Sequence, residues 1–136
     1  MTDDQKRINI AAEVARGDSA FHSAELLLAA GQRADAVSRA YYAAFHYARA
    51  LLLTLGEEAR THGGLDRLVQ RDLVRTGKLA PDIAALLSRL MTFRQNADYM
   101  AEYVFTESMT TEQVEGARTF VAAARAILEG DGWLTP

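Results

Sequence analysis

The stretch that most constrains this chain is Ala36–Leu55, AVSRAYYAAFHYARALLLTL. Val37, Tyr41, Ala44, Ala48, Leu51 and Leu55 recur at steps of four and three, the apolar seam of a packed α-helix. Arg39, Tyr42, His46 and Arg49 recur at three and four, so they line up along another side of the same helix. One helix therefore carries both a core seam and a row of guanidinium, phenol and imidazole groups. Such a seam has to be covered by apolar faces from the rest of the chain.

Those faces are legible on both sides of it. Thr2-Asp3-Asp4-Gln5 is a capping box that opens a first helix, with Asp3 and Asp4 at the positive end of its dipole. Its apolar series is read through Ile8, Ala12, Ala15, Ser19, Phe21, Ala24, Leu27 and Leu28. Gly17 inside that pattern marks a kink or a break, and Gly31 a stop. After the central helix comes a polar loop, Glu57–Gly64, in which Thr61 caps a short helix bearing Leu65, Leu68, Val69 and Leu73 and stopped by Gly77. Arg67, Arg71 and Arg75 share one side of that helix and read as a solvated face, with phosphate binding as the alternative. A fourth helix starts at Pro81, where a missing donor does no harm, and is expected to run to about Phe105. A second capping box, Thr110-Thr111-Glu112-Gln113, opens the last helix, carrying Val114, Ala117, Val121, Ala124 and Leu128. Trp133 hints that the tail docks.

Four substantial helices and one short one, joined by short connections, predict an all-α fold, an antiparallel up-and-down bundle spanning residues 1–136 as a single domain. The abundance of Ala and Leu and the two prolines agree with helix throughout. With no cysteine, disulfides and thiolate metal sites are excluded. The polar opening and the absence of an apolar run near 20 residues predict a cytoplasmic protein with no membrane span. Net charge is −3, but residues 33–94 carry ten basic against six acidic residues. A polyanion would meet that middle segment.

The most unusual placement is Arg94. Ile83, Leu87, Leu90, Arg94, Ala97, Ala101 and Val104 recur at strict four-three steps, so a guanidinium occupies a core slot between apolar neighbours. There it needs an ion pair, water or a ligand. Asp98, one turn on, offers an ion pair that would fix helix register, and Tyr99 adds a phenol. The functional alternative is an arginine held between the second and fourth helices for a phosphate. His46 gains interest from its stripe and His62 from its loop, whereas His22 has no such company. No residues have metal-ligand spacing, and no cofactor is expected.

The segments Ala36–His46 (AVSRAYYAAFH), Arg60–Leu65 (RTHGGL), Thr76–Leu79 (TGKL) and Arg94–Tyr99 (RQNADY) resemble the HEPN domain family, in the subgroup marked by Arg-x-x-Ala-Asp-Tyr. The resemblance spans roughly residues 5–130. It implies a bundle of four to five helices that forms a homodimer and is often encoded beside a minimal nucleotidyltransferase. Many such proteins are toxin ribonucleases whose active site pairs across the dimer interface, with an arginine followed four to six residues later by histidine. Here Arg94 is kept, Tyr99 stands five residues on, and no histidine lies between positions 95 and 136.

Arg94, His46 and Tyr99 are therefore the candidate catalytic residues, and Arg39, Tyr42, His62 and Asp98 the candidate ligand-binding ones. Arg94 suits phosphorane charge. Tyr99, titrating near 10, is a poor base at neutral pH, so a base has to come from His46 or His62. Three readings stand at this point: a toxin-antitoxin or stress-response component that engages RNA or a nucleotide in an interhelical cleft containing Arg39, His46, His62, Arg94, Asp98 and Tyr99, with metal-independent RNA cleavage an open question; a non-catalytic partner of a nucleotidyltransferase, with possible targets for modification among Tyr41, Tyr42, Tyr47, Tyr99 and Tyr103; and a structural dimeric bundle.

Overall fold

The computed structural model describes residues 1–136 and contains only helices: α1 (Asp3–Ala29), α2 (Arg33–Leu53), α3 (His62–Leu68) continued by a π-helical turn (Val69–Val74), α4 (Pro81–Tyr99) and α5 (Glu107–Gly130). They pack as a helical bundle around α2, which touches every other helix. Twelve of its 21 residues are buried, six of them alanines, and these small side chains let neighbouring helices approach closely. Val37, Tyr41, Ala44, Ala48 and Leu51 are all buried, as the spacing predicts, while Leu55 falls beyond the helix end and is exposed. No helix is long and apolar enough to cross a membrane.

The pairing of α1 with α2 is antiparallel: Lys6 reaches the Thr54 carbonyl, Glu13 meets His46 and Arg49, and Asp18 accepts from the Tyr47 hydroxyl. Gly17 does not kink α1, which is continuous from Asp3 to Ala29. It instead admits the Tyr47 ring: a Cβ there would lie 2.7 Å from Tyr47 Cδ2 and 3.2 Å from the Ala43 carbonyl oxygen. Behind that contact the buried Tyr47 hydroxyl is shared by Asp18 and Arg125 of α5, which ties three helices together.

Three sequence expectations shift. The buried face of α1 is Ile10, Val14, Gly17, Ala20 and Ala24, not the Ile8-Ala12-Ala15-Ser19 row, and Ile8 is 69% exposed. Both rows have helical spacing, and the Gly17–Tyr47 contact selects between them. The fourth helix stops at Tyr99 rather than near Phe105, with Met100 outside helical geometry, so Ala101 and Val104 leave the seam and are exposed. Phe105 instead turns inward against Phe93 and Tyr103, and Arg33 donates to its carbonyl. The last helix begins one turn early. Thr106, in extended conformation, caps the Met109 N–H, while Thr110 is buried within the helix and donates back to the Thr106 carbonyl.

Other local signals are realised as spelled. The Thr2–Gln5 capping box is reciprocal, and Thr61 accepts from Gly64 N at 2.9 Å. Trp133 folds back against α1, with the Arg7 guanidinium 4.9 Å from its ring.

Gly17→Ala tests the α1–α2 contact. Alanine gains ~1 kcal/mol of helix propensity, but the clash with a ring fixed by two hydrogen bonds costs roughly 1–3 kcal/mol of overpacking. A lowered melting temperature is expected. An unchanged or raised one would show that the ring moves aside freely.

Candidate functional site

Arg94 lies on the buried face of α4 with Ala84, Leu87 and Leu90, and is itself only 9% exposed. A charge there is tolerable because its surroundings are arranged for a cation. Nε is 2.9 Å from Asp98 Oδ2, one turn further along α4. Nη2 donates to the Tyr42 hydroxyl at 3.1 Å. The guanidinium carbon sits 5.5–5.8 Å from the ring centroids of Tyr41, Tyr42 and Tyr99, within range of cation–π attraction. Burial works against the Arg94 charge, and Tyr42, Asp98 and Tyr99 outweigh it, so the group stays protonated.

The ion pair is not fully consummated. The buried Nε–H is not aimed at the carboxylate despite the short distance, and it finds no other acceptor. Nη1 has no protein partner either, and it is not sealed from solvent. Arg94 thus keeps an outward edge with donors to spare.

His62, the first residue of α3, is brought to the same place from the other side. Its Nδ1 is 2.6 Å from the Tyr41 hydroxyl, and its ring lies 5.1–6.1 Å from Tyr41, Tyr42 and Phe45. Thr61 fixes the start of α3 and so the height of His62. Burial, and then the Arg94 charge, push the imidazole pKa below its ordinary 6.5. Burial pushes the Tyr41 phenol up, so that hydroxyl keeps its proton. Its only hydrogen-bond partner is His62 Nδ1. The arrangement that leaves no buried proton stranded has Tyr41 donating to Nδ1, with the imidazole proton on Nε2. Nε2 also has no protein partner and remains open to solvent.

The α2 polar row divides between two neighbours. Arg39 lies 4.7 Å over the Tyr42 ring, so Arg39 and Tyr42 belong with Arg94, Asp98, Tyr99 and His62. His46 does not join them. Its Nδ1 is 2.7 Å from Glu13 Oε2 of α1, and Arg49 Nε stands 3.5 Å from the other carboxylate oxygen. The row divides along the helix axis: His46 and Arg49 lie about two turns beyond Arg39 and Tyr42, and Glu13 of α1 captures that pair. Two contributors escaped the sequence reading. Tyr41 was absorbed into the core seam, although a tyrosine there must place its hydroxyl on something. Glu13 lies 33 residues from His46, with no local sign of the pairing.

The interhelical cleft expected from the sequence does not open on this centre. Of three hollows in the molecule none is lined by Arg94, Asp98 or His62. The centre is a surface edge, flanked by the exposed Tyr99 (74%), Met100 and Val104 (76%). No three His, Asp or Glu side chains converge as a metal ion would require.

Comparison with known proteins agrees with this architecture. The HEPN domain model matches residues 12–129. A protein of Thermotoga maritima named "UPF0332 protein" is 30% identical over 114 residues, covering 84% of this chain and 86% of its own. A protein of Methanocaldococcus jannaschii named "Putative toxin" is 35% identical over 81 residues, 60% of this chain and 57% of its own. A UPF0332 protein of Pyrococcus horikoshii is 47% identical over 55 residues, 40% of this chain and 39% of its own. With a match across most of its length and helices packed as a bundle around α2, the chain belongs to the HEPN domain family.

Proposed function

We propose that this protein is a toxin-type HEPN component that engages RNA or a nucleotide through phosphate, with Arg94 and His62 as the groups that receive it. One observation carries the reading: Arg94 Nη1 and His62 Nε2, on residues that both contact Tyr41, lack a protein partner and neither atom is fully buried. A guanidinium and an imidazole N–H are donors without an acceptor, which is what a phosphate oxygen supplies. Asp98 holds the guanidinium without exhausting it, and Arg39 extends the positive edge over Tyr42. Similarity to relatives named as toxins supports the biological role.

The site is built better for holding phosphate than for cutting beside it. Cleavage by the ribose 2′-hydroxyl needs a base as well as a stabiliser of phosphorane charge. His46 is held by Glu13, and His62 presents a proton rather than a lone pair. A base role for His62 requires the other tautomer, with Nε2 free of its proton and Nδ1–H donating to the Tyr41 oxygen, which leaves the Tyr41 hydroxyl proton to find another acceptor. The exposed Tyr99, Met100 and Val104, at and just past the end of α4, offer apolar surface on which a second copy would pack. A nucleotidyltransferase partner would find Tyr99 the accessible phenol of the centre, since Tyr41 is buried. An intact-mass measurement after coexpression reads such an adduct directly.

A second reading is favoured by the 9% exposure of Arg94 and its pairing within its own chain: the Arg94–Asp98–Tyr42 network fixes helix register and binds nothing. Two variants separate the readings. Arg94→Ala should weaken binding of a labelled oligoribonucleotide by about tenfold or more, and destabilise by about 1–3 kcal/mol, because the truncated side chain leaves a void beside Tyr41 and Tyr42 that methionine would fill. Arg94→Met should hold the melting temperature near wild type yet bind as poorly as Arg94→Ala. Equal RNA binding by wild type and both variants would leave only the structural reading.

The depressed His62 pKa has a definite consequence. The folded state favours neutral imidazole, so His62 contributes stability that is full above pH ~6.5, its unfolded value, and is lost as pH falls through the lower folded value. An NMR titration of the ring should give a midpoint below 6.5 in the free protein and a higher one in Arg94→Met. A wild-type midpoint at or above 6.5 would contradict the placement of His62 beside Arg94.

A further inference from the structure

The arginines of α3 have a role that the Arg94 centre does not account for. An open groove of about 580 Å³ runs between the Glu58–Thr61 segment and α3 with its π-helical extension. Arg60, Arg67 and Arg71 line it, against Glu58 as the one carboxylate among the lining residues. Arg71 is spoken for by Asp72 at 2.8 Å and Glu57 at 3.3 Å. Arg60 and Arg67 are exposed and make no ion pair or hydrogen bond with the protein. The sequence stripe Arg67-Arg71-Arg75 is only partly kept. Between Val69 and Val74 the bonding is i→i+5, as from Arg75 N to the Gln70 carbonyl, and the wider turn carries Arg75 off the line, leaving it outside the groove.

The groove floor is kept low by Ala59 and Gly64, where a Cβ would crowd Thr61 Oγ1 at 2.8 Å. In the chain it adjoins the Arg94 centre. Arg60 and Thr61 form its wall, and the next residue, His62, sits against Tyr41 beside Arg94.

We infer that this groove is a track for the phosphodiester backbone of a single RNA strand, with Arg60 and Arg67 each neutralising a phosphate. The inference rests on the reading that the Arg94 centre receives RNA, and it adds an extended, sequence-independent contact to it. Contacts to phosphates carry no sequence information, so affinity and not sequence choice is the groove's contribution.

The test is the salt dependence of binding by the full chain to two single-stranded oligoribonucleotides, oligouridylate and a mixed sequence. For single strands each phosphate contact contributes about 0.7 to the slope of log K against log salt. Arg60→Gln and Arg67→Gln should each lower the slope by about that amount and weaken both oligonucleotides equally. Arg75→Gln, one turn on but outside the groove, should leave the slope unchanged. All three should melt with wild type, since none of these side chains is paired. If Arg94→Ala loses RNA while Arg60→Gln and Arg67→Gln keep the wild-type slope, the groove is a solvated face and this inference fails while the Arg94 reading stands. If wild type binds neither oligonucleotide, both fail together.

Discussion

A guanidinium inside a helical bundle is costly unless its surroundings accept the charge, and the placement of Arg94 governs much of what surrounds it. It needs a carboxylate one turn away, so Asp98 closes the end of α4. It needs polarisable walls, which Tyr41, Tyr42 and Tyr99 provide. Tyr41 in turn needs an acceptor for a buried hydroxyl, and His62 supplies it from the first residue of α3. One charge thus couples α2, α3 and α4 through a chain of obligations, each a polar group that cannot be left bare. The obligations are met incompletely at the edge facing water, and that incompleteness gives the site its chemistry.

The opposite face of α2 is governed by shape. Gly17 lets the Tyr47 ring lie against α1, and the Tyr47 hydroxyl gathers Asp18 and Arg125. Alanines along α2 keep all its neighbours close. A rigid α2 matters for the site because Tyr41 and Tyr42 hold their rings in register with Arg94 only if their own helix does not move.

Periodicity made α2 legible from the sequence, because its seam is long and uninterrupted, and the Thr2 and Thr61 caps were spelled locally. Arg94 stood out for the same reason, as one charge in an apolar series. What could not be read was competition between equivalent patterns. α1 carries two rows at helical spacing, and only the fit of Tyr47 onto Gly17 decides which is buried. Residues 106–113 offer two places to start a helix, and the burial of Phe105 and Thr110 decides between them. The polar row of α2 gave no sign that Glu13, distant in sequence, would draw His46 away from Arg94, or that Tyr41 in the seam would hold His62. Those are tertiary choices, made by side chains that sequence spacing alone does not bring together.

The central claim is that Arg94 keeps donors available to an outside phosphate. Side-chain ¹⁵N–¹H NMR of the Arg94 guanidinium, recorded while oligouridylate is added to the full protein, observes those donors themselves. The account predicts that the Nη resonances of Arg94 shift and slow in exchange with saturating RNA, while those of Arg125, held by Tyr47 and Asp18, do not move. Arg94 resonances that ignore RNA at concentrations where the protein binds it would contradict the account.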